Sequence, residues 1–132
     1  MSVINTVILV FVGGAVGAML REFVMLMVPT LVDGLPLDIL VANLVAAFLL
    51  GLVTALHRRK VLTDGVNTLL GTGVMGGLST FSSFVYGSFV LMSASFDGAL
   101  VSLLYVVASV LLGFVAVLIG LKLGGSGLGD GG

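Results

Sequence analysis

Four long apolar stretches separated by short polar breaks organise this chain. The first covers residues 3–28 and stops at Pro29. The loop TLVDGLPLD follows, with Gly34 and Pro36 as its turn residues. A second stretch, 39–56, runs into the loop HRRKVLTDG. A third, 66–92, is interrupted midway by Gly76-Gly77. The short loop SASFDG then leads to a fourth, 99–121. Each stretch is about the 20 residues a helix needs to cross the hydrocarbon of a bilayer. Because lipid offers the backbone no hydrogen-bond partners, helices that satisfy themselves are the structure such stretches predict. Barrel strands would be shorter and would alternate polar with apolar, which these do not. The expectation is an all-α membrane protein: one four-helix domain over 1–123, with a broken third helix and a flexible glycine-rich tail over 124–132.

Composition strengthens this reading. Of 132 residues, 59% are hydrophobic and 8% charged, with a mean hydropathy of +1.35; soluble domains carry about a quarter charged residues. A net charge of −1 gives no reason to expect a nucleic-acid partner. With no cysteine and one histidine, His57, disulfides, thiolate metal sites and a histidine-built metal site are excluded. The first apolar run is too long for a signal peptide and lacks its basic flank, so it is expected to stay in the mature protein. Arg58, Arg59, Lys60 and Lys122 fall on one side of the four spans, and Asp33, Asp38 and Asp97 on the other. The excess of basic residues places the termini and the 2–3 loop in the cytoplasm.

Polar groups at membrane depth point to chemistry. Arg21 and Glu22 lie inside span one. Arg21 either snorkels and pairs locally or faces a wet vestibule that attracts anions. Asn43 lies early in span two, where an amide either bonds a neighbouring helix or lines a pathway. In GTGVMGGLSTFSSF, residues 71–84, Gly76-Gly77 either frees backbone carbonyls or, through Gly73-x-x-x-Gly77, lets helices pack closely. Ser79, Thr80, Ser82 and Ser83 interleave with Phe81 and Phe84, which share a helix face and either meet lipid or core or present ring edges to a pathway. Ser102, Tyr105 and Ser109 form one polar stripe on span four, either glue between helices or part of a pathway, which position 113 would continue but for being glycine. This lining of amide, hydroxyl and aromatic-edge donors, without a carboxylate at mid-span, suits a small anion; a cation pathway would want carboxylates or converging carbonyls.

With those residues in view, the chain resembles the Fluc (CrcB-type) family of bacterial fluoride channels along all four spans. The resemblance is carried by GGAVGAMLREF at 13–23, LVANLVAAFLLG around Asn43, and GTGVMGGLSTFSSF at 71–84. It implies passive F⁻ export across the bacterial plasma membrane by an antiparallel dimer with two pores along its interface. It further implies that Asn43, Phe81, Phe84, Tyr105 and Ser109 line the pore and that Arg21 sits near the vestibule. Finally, it implies that a structural Na⁺ is held by the backbone carbonyls of Gly76 and Ser79 from both subunits.

The sequence departs from the family pattern in three respects. Gly113 replaces the Ser or Thr that often continues the polar track. Val85-Tyr86-Gly87 lacks the acidic residue common after the second Phe. The four basic residues outside the spans all lie on one face, whereas a subunit inserting both ways needs balance. This last point argues for one fixed orientation, so the expected assembly is a homodimer or a heterodimer with an oppositely oriented homologue. The rival readings are a small multidrug-type cation exporter and a non-conducting membrane subunit. The exporter would need a membrane-embedded Glu, for which only Glu22 is available, and an aromatic cage that a chain without Trp builds poorly. No acid–base pair or nucleophile set marks an enzyme. The absence of a mid-span carboxylate or His favours passive flow over proton coupling.

Overall fold

A computed structural model of the chain describes residues 1–28 and 35–125. Pro29, Asp33, Gly34 and the tail from residue 126 lie outside the described residues. Helix α1, Val3–Met27, starts on Ser2, whose Oγ accepts from the Asn5 amide at 3.2 Å. It stops at Val28, which is extended, as the residue before a proline prefers. Helix α2, Leu37–Arg58, carries Asp38 in its first turn and Arg58 in its last, charges that complement the helix dipole.

The third apolar run is less regular. It opens with α3, Asp64–Asn67, capped by Thr63, and continues as a π-helical stretch, Thr68–Val74, and then α4, Met75–Leu78. Ser79 and Thr80 are extended, and α5, Phe81–Ala94, resumes on Thr80, whose Oγ1 accepts from the Ser83 amide at 3.2 Å. The interruption expected at Gly76-Gly77 therefore falls two residues later, and both glycines are helical. Gly77 is held there by packing: a Cβ on it would overlap the Gly14 carbonyl. Helix α6, Phe96–Gly125, runs two residues into the expected tail. The Arg59 guanidinium donates to the Gly124 carbonyl and so supports that last turn.

Four of these passages are long and apolar enough to cross a membrane: Val3–Met27, Leu37–Arg58, Asp64–Ala94 and Phe96–Gly125. They do not pack in chain order. Most contact is made by α2 with α6, and by α1 with the π-helical stretch and α4, while α5 lies on α6. Glycine makes both main contacts close. A Cβ on Gly13 would sit 2.8 Å from the Gly73 Cα, and one on Gly120 would overlap the Phe48 carbonyl. Such backbone-to-backbone approach replaces the hydrophobic drive that lipid does not supply. The buried centre is Ala46, Val74, Met75 and Leu78. Large apolar side chains such as Phe11, Leu26, Leu104 and Phe114 point outward; in water that surface would be costly, and against lipid it is not.

Candidate functional site: a polar seam between the second, third and fourth spans

Asn43 is the hinge of the site. Its Oδ1 accepts from the Thr80 amide at 2.7 Å, and its Nδ2 donates to the Thr80 carbonyl at 3.1 Å. A side-chain amide thus pairs with a backbone residue as a β-ladder would, which is what an extended residue in lipid requires. Two helical bonds are given up in exchange. The Thr80 amide would otherwise close on the Gly76 carbonyl, and the Ser83 amide on that of Ser79. The first goes to Asn43 and the second to the Thr80 hydroxyl.

On one side of Asn43 is a cleft of about 160 Å³, whose lining includes Asn43, Leu44, Phe84, Ser109 and Gly113. Ser109 Oγ is buried there with no hydrogen-bond partner among the described residues. Tyr105, 4% exposed, adjoins it: its ring lies 5.6 Å from that of Phe84 at 35°, and its hydroxyl donates to the Pro36 carbonyl at 3.2 Å. A tilted pair of this kind presents ring edges, which carry positive potential. On the other side of Asn43 is a cleft of about 270 Å³ that includes Ala47, Gly71, Gly76, Ser79 and Val117. No carboxylate or imidazole lines either cleft among the described residues.

The expected site residues divide accordingly. Asn43, Phe84, Tyr105 and Ser109 come together, and Gly76 and Ser79 share the second cleft with Asn43. Phe81, 78% exposed, lies outside the first cleft, with its ring 6.4 Å from that of Phe84. Arg21 is on α1, which packs on residues 68–78 rather than on α5 and α6. Neither Arg21 nor Glu22 forms an ion pair with a described residue, so the local pairing weighed for Arg21 is absent among them. Ser102, buried on the same face of α6 as Tyr105, joins two helices rather than lining either cleft. Its hydroxyl donates to the Ser88 carbonyl at 2.7 Å, and the Ser88 hydroxyl to the Phe84 carbonyl at 2.8 Å. Ser88 was not foreseen as part of the site. Thr80 as a helix cap could have been, since a hydroxyl residue opening an apolar run is a start signal.

These features define a multi-pass membrane protein with a narrow seam of donor groups between its helices. Residues 8–121 match the family described as CrcB-like protein, Camphor Resistance (CrcB), and the chain belongs to that family. It is similar to a "Fluoride-specific ion channel FluC 1" of Brucella abortus, 62% identical over 121 residues, 92% of this chain and 45% of the relative. It is also similar to "Fluoride-specific ion channel FluC 3" of Yersinia pseudotuberculosis, 56% identical over 91% of this chain and 89% of the relative. A "Fluoride-specific ion channel FluC" of Deinococcus radiodurans is 39% identical over 85% of this chain and 89% of its own length. The chain thus spans a little under half the length of the Brucella relatives it matches, and most of the length of the others.

Proposed function

We propose that this chain is a pore-forming subunit of a fluoride channel that lets F⁻ leave a bacterial cell passively across the plasma membrane. The observation that carries this reading is the buried Ser109 hydroxyl, which meets the geometry of a hydrogen bond with no described residue, in a cleft shared with Asn43 and Phe84 and beside Tyr105. A hydroxyl facing a cleft with its hydrogen uncommitted is suited to a small anion that must exchange its water for fixed donors. One Asn43 Nδ2 hydrogen is spent on Thr80; the second remains for the same task. The names of the relatives agree with this ion. No carboxylate or imidazole lines either cleft among the described residues, so in this reading flow follows the fluoride gradient and is not coupled to protons. The activity is transport, not catalysis.

The working unit in this reading is an antiparallel dimer. Phe81 stands outside its own subunit, and a Cβ on Gly76 or Gly113 would meet nothing within 4 Å. Within this chain nothing requires these two glycines, which fits a second subunit closing both clefts. The carbonyls of Gly76 and Ser79, freed from their helical donors, suit a hard, oxygen-seeking cation, so two such pairs would hold one structural Na⁺ at the interface. Bound there, the ion would screen the converging carbonyl dipoles. Arg58, Arg59, Lys60 and Lys122 gather at one end of α2 and α6, which favours cytoplasmic termini and a heterodimer with an oppositely inserted homologue. Arg21 is assigned to the vestibule. The test is fluoride efflux from liposomes holding the purified chain, followed with a fluoride electrode against chloride as control. Rapid F⁻ release without Cl⁻ release, lost on Phe84→Leu, supports a self-sufficient channel. Release restored only by co-expressing a partner supports the heterodimer. Equal Cl⁻ release refutes the reading.

A further inference from the structure

Helix α2 ends in a turn that ordinarily belongs to glycine. The Lys60 amide donates to the His57 carbonyl and the Val61 amide to that of Leu56, both at 3.0 Å. This is the bond pair of a Schellman motif, with Lys60 at its left-handed position, φ 61°. An L side chain there crowds the following carbonyl. The chain uses 20 glycines elsewhere, yet keeps a lysine here. The side chains of Lys60 and Arg58 are exposed and form no ion pair with a described residue. The neighbouring cation, Arg59, is differently employed: it donates to Gly124 and draws the end of α6 against the end of α2. That contact brings Lys122, exposed in the last turn of α6, to the same end of the molecule. Asp64, the acidic group of this turn, is held by His57 Nε2 at 2.8 Å. Two long apolar helices thus finish together beside three cations that pair with no described acidic group.

We propose that Arg58 and Lys60, with Lys122 beside them, form a binding site for the phosphate of an anionic phospholipid headgroup. A basic end that served only to orient the chain could place its charge at any exposed position. Here the charge occupies one where removing the side chain would relieve the backbone, and a retained strain of this kind marks a functional position. The site does not depend on which ion the chain conducts. Each cation near an anionic surface contributes an attraction that falls away within a Debye length.

The experiment is lipid titration of delipidated, detergent-solubilised protein, following melting temperature with phosphatidylglycerol, phosphatidylcholine or inorganic phosphate. Phosphatidylglycerol is expected to stabilise the wild type at concentrations where the other two do not. Lys60→Gln and Arg58→Gln are each expected to weaken its apparent affinity about fivefold. Lys60→Gly is expected to show the same loss while melting about 4 °C higher without lipid, because the left-handed residue no longer carries a Cβ. A purely structural role for Lys60 predicts the higher melting temperature without the affinity loss, and that outcome overturns the proposal. Equal stabilisation by phosphatidylcholine overturns it as well. Equal stabilisation by inorganic phosphate does the same, because it would mean a general anion site.

Discussion

Replacing Asn43 with Ala tests the central structural argument directly. The substitution removes an acceptor 2.7 Å from the Thr80 amide and a donor 3.1 Å from the Thr80 carbonyl. Both backbone groups lie in the half-buried middle of a membrane passage, where water is scarce. Leaving one such group unsatisfied costs about 1–3 kcal/mol. Double-mutant cycles on helix–helix bonds in membranes give smaller values, about 0.6 and at most about 1.7 kcal/mol, because the unfolded chain in lipid also finds partners. Two groups are stranded at once by Asn43→Ala, so the expected loss is about 2–3 kcal/mol. Partial recovery is built into the geometry, since the freed Thr80 amide can swing back to the Gly76 carbonyl and extend α4 by a turn. That rearrangement would rotate α5 relative to α2 and pull Phe84 from its place beside Tyr105. The assay is equilibrium unfolding in mixed dodecylmaltoside and SDS micelles, read by circular dichroism, alongside fluoride efflux. A cost below about 0.5 kcal/mol with normal efflux would refute the view that Asn43 holds the extended pair.

Three further outcomes are expected. Gly120→Ala should cost about 1–3 kcal/mol in the same unfolding assay because its Cβ meets the Phe48 carbonyl, whereas Gly113→Ala should stay within about 0.5 kcal/mol because nothing lies within 4 Å. Thr80→Val keeps the shape of the side chain but removes the cap of α5, and should cost about 1 kcal/mol with a visible loss of helix in the circular dichroism signal. Ser102→Ala breaks the bond to the Ser88 carbonyl and should cost about 0.6–1.7 kcal/mol. It should also slow fluoride efflux, because Ser88 in turn holds the carbonyl of Phe84.

The four passages were legible in the sequence because bilayer thickness dictates their length and charge marks their ends. Asn43, Phe84, Tyr105 and Ser109 were legible as a group because polar side chains at membrane depth must face something other than lipid. The interruption was misplaced for an instructive reason. A glycine pair inside a helix can signal either a break or a close contact, and Gly77 makes the contact, against Gly14. The break is imposed at Ser79–Thr80 by a side chain 37 residues away, which no local pattern reports. The π-helical stretch Thr68–Val74 likewise had no sequence signal. Ser102 was assigned to the stripe of Tyr105 and Ser109 by helical spacing alone, and spacing cannot show that Ser88 offers it a carbonyl on the neighbouring helix.

The packing order of the spans bears on how the chain is made. Contacts join α1 chiefly to residues 68–78 and α2 chiefly to α6. A ribosome delivers them in sequence, so α1 and α2 enter the bilayer with little to bind between them. Helix α1 must wait until more than 40 further residues have emerged before its glycines meet their counterparts on the third span. Helix α2 waits longer still, until α6 has emerged. Gly13 and Gly17 therefore face lipid until the third span has emerged, and Gly51 does so until α6 follows. During that interval small residues that will join helix to helix are open to lipid, so pairing with a wrong helix competes with assembly until α6 is in place.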